Sequence, residues 1–243
     1  MKILLVGSSK EIENYGSEFF EKAKDEGFKT LSFANSIALF RSIDVKPDYF
    51  SFVDPWTIGY LIDFFEKDSF LNNTDLLIPN LFDNKFKNFY KFGLTSSNLT
   101  SNPELLSRVQ SLKFFDNFKN VFNYSAKCLD LREKIETRGS EFIRNLNVFS
   151  GFGTTNTDKL TAFLIPLVLY HFKYLKEIRT IGFGDFHTER FFSDRKGHMG
   201  GYQEFFDTFV RIMPIFKKYF EEKDIKISFE TDNHYSKVYK NLK

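Results

Sequence analysis

Cysteine is almost absent from this chain, since Cys128 is its single thiol. One thiol excludes an intramolecular disulfide framework, as expected in a reducing compartment. The chain also lacks an apolar run of about 20 residues, the length that a membrane-spanning helix requires. Its longest apolar stretch, residues 160–170, contains Pro166 and is predicted to be a buried helix.

A strong charge of either sign is missing as well. The 34 Lys and Arg residues nearly balance the 32 Asp and Glu residues, which leaves a formal net charge of +2. Such a chain has no global field for nucleic acid, so no nucleic-acid partner is expected. The first residues form a short strand pattern without the apolar stretch and cleavage site of a signal peptide, which predicts a cytoplasmic protein. Three lysines between 237 and 243 could contact the inner face of a membrane, although a solvated chain end explains them more simply.

Strand-like and helical patterns alternate along the chain. This alternation predicts an α/β fold with a Rossmann-like, mostly parallel sheet and helices on both faces. A stripe of apolar residues at helical spacing from 202 to 220 predicts a helix before the last strand, with a kink at Pro214. The predicted strands are Lys2–Val6, Phe28–Phe33, Tyr49–Val53, Leu76–Ile78, Ile178–Phe183 and Ile225–Phe229.

The domain organisation is predicted to be simple. No repeat or low-complexity linker interrupts the chain, so residues 1–243 are expected to form one domain. Residues 82–153 carry weak strand signals and are expected to be a helical or irregular insertion, and the domain has room for a lid segment. Residues 186–200 are expected to be a mobile loop.

Ligands of open α/β sheets bind beyond the carboxyl ends of the strands, so small and polar residues at these positions are the first candidates. Gly7, Ser8 and Ser9 follow the first predicted strand and can offer N–H and hydroxyl groups to a phosphate. They lack the G-x-G-x-x-G and Walker patterns, and an ordinary strand-to-helix turn has the same sequence. Asn35 and Asp54 end the next two strands. They suit phosphate, ribose or metal contacts, and turn formation explains them equally well.

Further candidates lie in the second half of the chain. Thr154 and Thr155 precede the apolar helix, where they can meet an anion or cap the helix. Asp185 and His187 follow a predicted strand, but no ligand spacing supports a metal site. His198 lies in a basic, glycine-containing loop, which suits a mobile general base as well as an exposed loop histidine.

The order of these elements resembles that of the small bacterial sialyltransferases that use CMP-sialic acid and, more distantly, of the Kdo transferases. The resemblance departs at Asp54-Pro55, where the family has Asn-Pro, and at 182–185, where the family's Gly-x-Asp has an extra residue. The elements that carry it are Val6–Ser9, Ala34-Asn35, Thr154-Thr155, the strand that ends in Gly182 to Asp185, and Gly197-His198 with the helix and strand that follow.

The resemblance implies an inverting glycosyltransferase that moves sialic acid or a Kdo-like sugar from CMP to a glycan acceptor. In this interpretation His198 removes the proton of the acceptor hydroxyl, and Asp185 orients the imidazole or the acceptor. The N–H groups of Gly7 and Ser8, with Asn35, stabilise the charge on the leaving phosphate. No metal or other cofactor is obligatory. The predicted nucleotide-binding set is Gly7, Ser8, Ser9, Asn35, Asp54, Thr154 and Thr155.

Two alternatives remain open from the residues alone. One is a metal-dependent phosphoryl transferase or phosphoesterase, with Asp54, Asp185, His187 and His198 around a divalent cation. The other is a nucleotide-binding protein without turnover. The sequence does not predict the oligomeric state.

Overall fold

A seven-stranded sheet runs through the residues that the computed structural model describes, which are 1–52, 70–79, 118–124, 174–183, 210, 213–214 and 216–242. Each strand pairs with its neighbours in parallel. Helices pack against the sheet, so the predicted Rossmann-like α/β fold is confirmed. The strands are β1 (Lys2–Val6), β2 (Phe28–Phe33), β3 (Tyr49–Ser51), β4 (Asp75–Pro79), β5 (Asn120–Tyr124), β6 (Glu177–Ile181) and β7 (Lys226–Phe229).

The strand order is β5-β4-β3-β2-β1-β6-β7. From β1 to β5 each new strand is added on the same side, whereas β6 pairs with the other side of β1 and β7 extends the sheet from there. The order therefore reverses between β1 and β6, which makes this pair the topological switch point of the sheet. In the register, Val6 pairs with both Ser32 and Ile181, so the carboxyl ends of β1, β2 and β6 lie side by side.

Strand β1 is buried on both of its faces. Side chains alternate along a strand, so Ile3 and Leu5 enter the core on one face while Leu4 and Val6 enter the core on the other. All four are 0% exposed. A continuous apolar run of this kind is typical of a parallel strand covered by helices on both sides.

Two of the described helices cover the face that contains Leu4 and Val6. Helix α1 (Ser17–Asp25) contributes Phe20, and helix α2 (Ile37–Ser42) contributes Phe40, whose rings lie 4.8 Å apart. Helix α1 ends before Gly27, which has a φ of 84° and suits the left-handed position after a helix.

The opposite face is covered from the C-terminal part of the chain. Helix α3, with helical residues at 213–214 and 216–222, packs Met213, Phe216 and Phe220 into this core. These three side chains belong to the predicted apolar stripe, so its helical spacing is confirmed at these positions. Helix α4 (His234–Asn241) packs Val238 and Tyr239 against the same cluster.

Several strand bounds differ by one or two residues from the sequence prediction, and two differences bear on the site. No strand was predicted between 82 and 153, and β5 lies in that segment, parallel to β4. Its sequence, Asn-Val-Phe-Asn-Tyr, gives a weak signal because asparagine is depleted in strands. Strand β6 ends at Ile181 rather than Phe183, because Gly182 has a φ of 75° and leaves the extended conformation. Within the described ranges, no helix is long and apolar enough to cross a bilayer.

Candidate ligand site at the switch point

The chain segments that leave β1 and β6 are in direct backbone contact. The Gly7 N–H donates to the Ile181 carbonyl at 2.8 Å, and the Ser9 N–H donates to the Gly182 carbonyl at 2.9 Å. A Cβ on Gly7 would lie 2.3 Å from the Gly182 oxygen, and a Cβ on Gly182 would lie 2.4 Å from Ile12 Cγ2. The switch point is therefore built on two glycines that allow the backbones to approach.

This contact corrects one assignment of the sequence analysis. The Gly7 N–H was expected to face the phosphate of a nucleotide, but it is bound to Ile181. Position 7 requires glycine because the backbone there lies against the β6 exit. Since the Gly7 N–H already bonds Ile181, it is not available as a donor to a phosphate. Ser8, the second predicted donor, is partly exposed at the same edge.

Ser9 has an unsatisfied hydroxyl group. The residue is 9% exposed, and its Oγ atom is buried without a hydrogen-bond partner in the part of the chain that the structure describes. Leaving such a group unpaired costs about 1–3 kcal/mol, so a buried orphan hydroxyl calls for an explanation. It lies in the loop for which the sequence predicted phosphate contacts.

The exit of β2 is tied to the exit of β1 by Ser36. Its hydroxyl donates to the Val6 carbonyl at 2.9 Å and accepts from the Phe33 N–H at 2.7 Å. Between these residues Ala34 adopts a φ of 46°, which turns the chain into a short 3-10 helix over Ala34–Ser36. Asn35 lies in this turn and is partly exposed. The structure thus brings the predicted residues Gly7 to Ser9 and Asn35 to the same edge of the sheet.

A closed ring of hydrogen bonds joins the exits of β1, β6 and β7. The Glu11 carboxylate oxygen Oε1 accepts from the Gly182 N–H at 3.0 Å and from Thr231 Oγ1 at 3.2 Å. The Asn233 amide Nδ2 donates to the Phe183 carbonyl at 2.8 Å and to Thr231 Oγ1 at 3.1 Å. We call this set the exit ring; its members are Glu11, Gly182, Phe183, Thr231 and Asn233.

The sequence analysis missed the exit ring. Asn233 also begins helix α4, since its Oδ1 accepts from the Ser236 N–H at 2.9 Å while Ser236 Oγ accepts from the Asn233 N–H at 2.9 Å. This reciprocal cap is detectable in the sequence as an Asn with a polar partner three residues later. Glu11 and Thr231 carry no comparable signal, because they are 220 positions apart.

Acidic groups near the exits act on their neighbours. Burial raises the pKa of Tyr15, and the carboxylates of Glu11 and Glu230 raise it further. Arg179 balances part of this charge, because its Nε lies 3.1 Å from Glu230 Oε1 and its Nη2 lies 2.9 Å from Glu26 Oε2. No group of three His, Cys, Asp or Glu side chains suited to a metal occurs among the described residues.

The remaining predicted site residues lie outside the described residues and stay predictions. They are Asp54, Thr154, Thr155, Asp185, His187 and His198. Neither a protein-family model nor a curated protein sequence matches this chain. An assignment of function therefore depends on the geometry of the switch point and on the order of motifs in the sequence.

Proposed function

We propose that this protein is an inverting glycosyltransferase that transfers an acidic sugar, sialic acid or Kdo-like, from a CMP donor to a glycan acceptor. One observation carries the proposal: the Gly7 to Ser9 loop, in which the motif order predicts nucleotide contacts, lies at the switch point of the sheet. Ligands of open α/β sheets bind in the crevice outside the strand ends at this point. The resemblance to CMP-dependent transferases supplies the substrate class.

The orphan hydroxyl of Ser9 supports a ligand at this edge. A phosphate oxygen is a strong acceptor, so a bound nucleotide would give the Ser9 O–H the partner that it lacks among the described residues. Because this hydroxyl is buried, the ligand reaches it only after a local opening of the loop. Asn35, held beside the β1 exit through Ser36, adds an amide donor for the same ligand.

The proposed reaction needs few groups. The acceptor oxygen attacks the anomeric carbon while the bond from that carbon to the CMP phosphate oxygen breaks, and CMP leaves with the bonding electrons. The acceptor proton passes to His198. Donors prearranged around the phosphate stabilise the charge that develops on CMP. Asp185, two residues after Phe183 in the sequence, would orient the His198 imidazole or the acceptor.

Ligand selectivity is the first test. A ligand that binds only the folded state raises its thermal midpoint, so CMP is expected to stabilise the protein while UDP, GDP and ATP at equal concentration have little effect. Stabilisation by all four nucleotides alike, or by none, would contradict the proposal.

Turnover is the second test. The protein is expected to consume CMP-sialic acid or CMP-Kdo in the presence of a glycan acceptor, to invert the anomeric centre and to retain full activity in EDTA. A general base contributes about 10²–10⁴-fold, so His198→Ala is expected to bind CMP normally and to transfer at a rate lower by this factor. Equal turnover by wild type and His198→Ala would remove His198 from the mechanism. Release of phosphate that EDTA abolishes would instead indicate a metal-dependent phosphoryl transferase.

A further inference from the structure

We propose that Glu11, Thr231 and Asn233 are positioning residues that hold the segment after β6 in the orientation needed for transfer. The exit ring supplies the geometry, and the identity of the reaction rests on the proposed function. These three side chains come from opposite ends of the sequence: Glu11 and Asn233 bond the two residues that leave β6, and Thr231 links Glu11 to Asn233.

The sheet itself does not fix the direction in which the chain leaves β6. Pairing with β7 reaches Thr180, and pairing with β1 reaches Ile181. Beyond that point Gly182 has a φ of 75°, a conformation that departs from the strand. The orientation of Gly182 and Phe183 must therefore be set by contacts outside the ladder.

The exit ring and the Ser9 N–H together make these contacts, one on each peptide group to which Gly182 and Phe183 belong. Glu11 holds the Gly182 N–H, the Ser9 N–H holds the Gly182 carbonyl, and Asn233 holds the Phe183 carbonyl. Hydrogen bonds to an ionised carboxylate are stronger than neutral ones, so Glu11 is the strongest link of this set. Thr231 connects Glu11 to Asn233, and loss of its hydroxyl would open the ring on both sides.

The position of the residues that leave β6 is expected to affect the rate of sugar transfer rather than the binding of the nucleotide. A misplacement of about 1 Å costs a reaction roughly 100-fold even when the change is remote from the reacting atoms. The ring bonds the peptide groups of Gly182 and Phe183, whereas the proposed phosphate contacts come from Ser8, the Ser9 hydroxyl and Asn35, which are not ring members. Opening the ring should therefore reduce kcat and leave nucleotide affinity nearly unchanged.

The test compares four variants for kcat, donor KM, CMP affinity and amide hydrogen exchange at Gly182. Thr231→Val removes the hydroxyl at constant shape, Glu11→Ala removes the carboxylate, and Glu11→Gln keeps an acceptor oxygen without charge. Glu13→Gln is the matched control, because Glu13 is an exposed acid two residues after Glu11 in the 3-10 helix Lys10–Asn14.

Thr231→Val and Glu11→Ala are expected to lower kcat by about 10- to 100-fold, to change CMP affinity less than about threefold and to speed exchange at Gly182. Glu11→Gln should recover part of kcat, and Glu13→Gln should match wild type. An unchanged kcat, or a loss confined to KM, would overturn the inference.

The two proposals fail in different ways. If the wild-type protein neither binds CMP nor transfers a sugar, the proposed function is wrong, and exchange at Gly182 still reports on the ring. Slow exchange that Glu11→Ala accelerates and Glu13→Gln does not would support the ring as the device that holds the β6 exit. Equal exchange in all variants would overturn that role.

Discussion

Gly7 and Gly182 cross so closely that a Cβ on Gly7 would lie 2.3 Å from the Gly182 carbonyl oxygen, and a Cβ on Gly182 would lie 2.7 Å from the Gly7 oxygen. Both of these oxygens belong to the backbone, so no side-chain rotation relieves these two contacts. This crossing joins β1 to β6 where the strand order reverses, and the candidate site is built around it.

Alanine substitutions at four glycines separate two effects on the free energy of unfolding: steric crowding of the new Cβ and strain from a positive φ. Gly7→Ala meets the clash alone and is expected to lower the free energy of unfolding by about 1–3 kcal/mol. Gly182→Ala adds the cost of a φ of 75°, for a loss of about 2–4 kcal/mol in total. Gly27→Ala has a positive φ but open space around its Cβ, and is expected to lose about 1 kcal/mol. Urea unfolding measures all three.

Gly16→Ala is the control for the glycine series, because its Cβ meets nothing within 4 Å and its φ is −87°. Its loss should stay below about 1 kcal/mol, the scale of an altered N-cap. A Gly7→Ala protein as stable as Gly16→Ala would show that β1 and β6 do not approach in this way.

Ser9→Ala should separate stability from binding. The hydroxyl has no partner among the described residues, so its removal should leave the free energy of unfolding unchanged or raise it by up to about 1 kcal/mol. CMP affinity should fall by about 3- to 10-fold, the value of one hydrogen bond. Calorimetric titration measures CMP affinity, and urea unfolding of the same samples measures the free energy of unfolding. A destabilised variant with unchanged CMP affinity would refute the phosphate role of Ser9.

The stability of the protein should depend on the side-chain N–H donor of Asn233. Asn233→Ala removes the cap of α4 and two ring contacts, which predicts a loss of about 1–3 kcal/mol. Asn233→Asp keeps the cap acceptor but sets a carboxylate oxygen against the Phe183 carbonyl, 2.8 Å from the present nitrogen. It is expected to be as damaging as alanine. A harmless Asn233→Asp would show that the cap alone matters.

Arg179 should contribute more than an ordinary surface ion pair. Its side chain is 20% exposed, bridges Glu26 and Glu230 and lies 4.1 Å from the centre of the Phe28 ring. Arg179→Ala is expected to cost about 1–3 kcal/mol, since it leaves two carboxylates without their cation. Lys2→Ala is the control, because it removes the same kinds of contact from a side chain 42% exposed: a 3.7 Å pair with Glu177, a 3.1 Å hydrogen bond to the Glu26 carbonyl and a position 5.2 Å from the Phe28 ring centre. It should cost less than about 1 kcal/mol. Comparable losses in thermal or urea unfolding would contradict this ranking.

The raised pKa of Tyr239 predicts that the free energy of unfolding falls at alkaline pH. Burial raises its pKa to about 12, and the Glu221 carboxylate adds to the shift. Between about pH 10 and pH 12 the unfolded chain releases this proton while the folded protein retains it, so the free energy of unfolding falls as pH rises. Tyr239→Phe should reduce the slope in this window, and Tyr174→Phe, at a phenol that is 67% exposed, is the control. Identical slopes for wild type and Tyr239→Phe would refute this role of Tyr239.

Local patterns were sufficient to predict most of the sheet. The bounds of β1 and β2 match the prediction, because their apolar runs end at small or polar residues. The short strand β5 was missed since two of its five residues are asparagine. The Gly7 to Ser9 loop and Asn35 were found as strand exits, whereas the exit ring was not, because Glu11 and Thr231 are ordinary polar residues until folding brings them together.

The amino-acid sequence by itself determined six of the seven described strands, and it marked small and polar residues at the ends of β1 and β2. These features depend on neighbours within a few positions, where propensity and periodicity act directly. Only the tertiary structure decided that β6 pairs with β1, that Gly7 must be a glycine for backbone contact, and that Glu11 meets Thr231. Those outcomes depend on packing between residues far apart in the chain, where many weak contacts together select one arrangement and no local pattern records it.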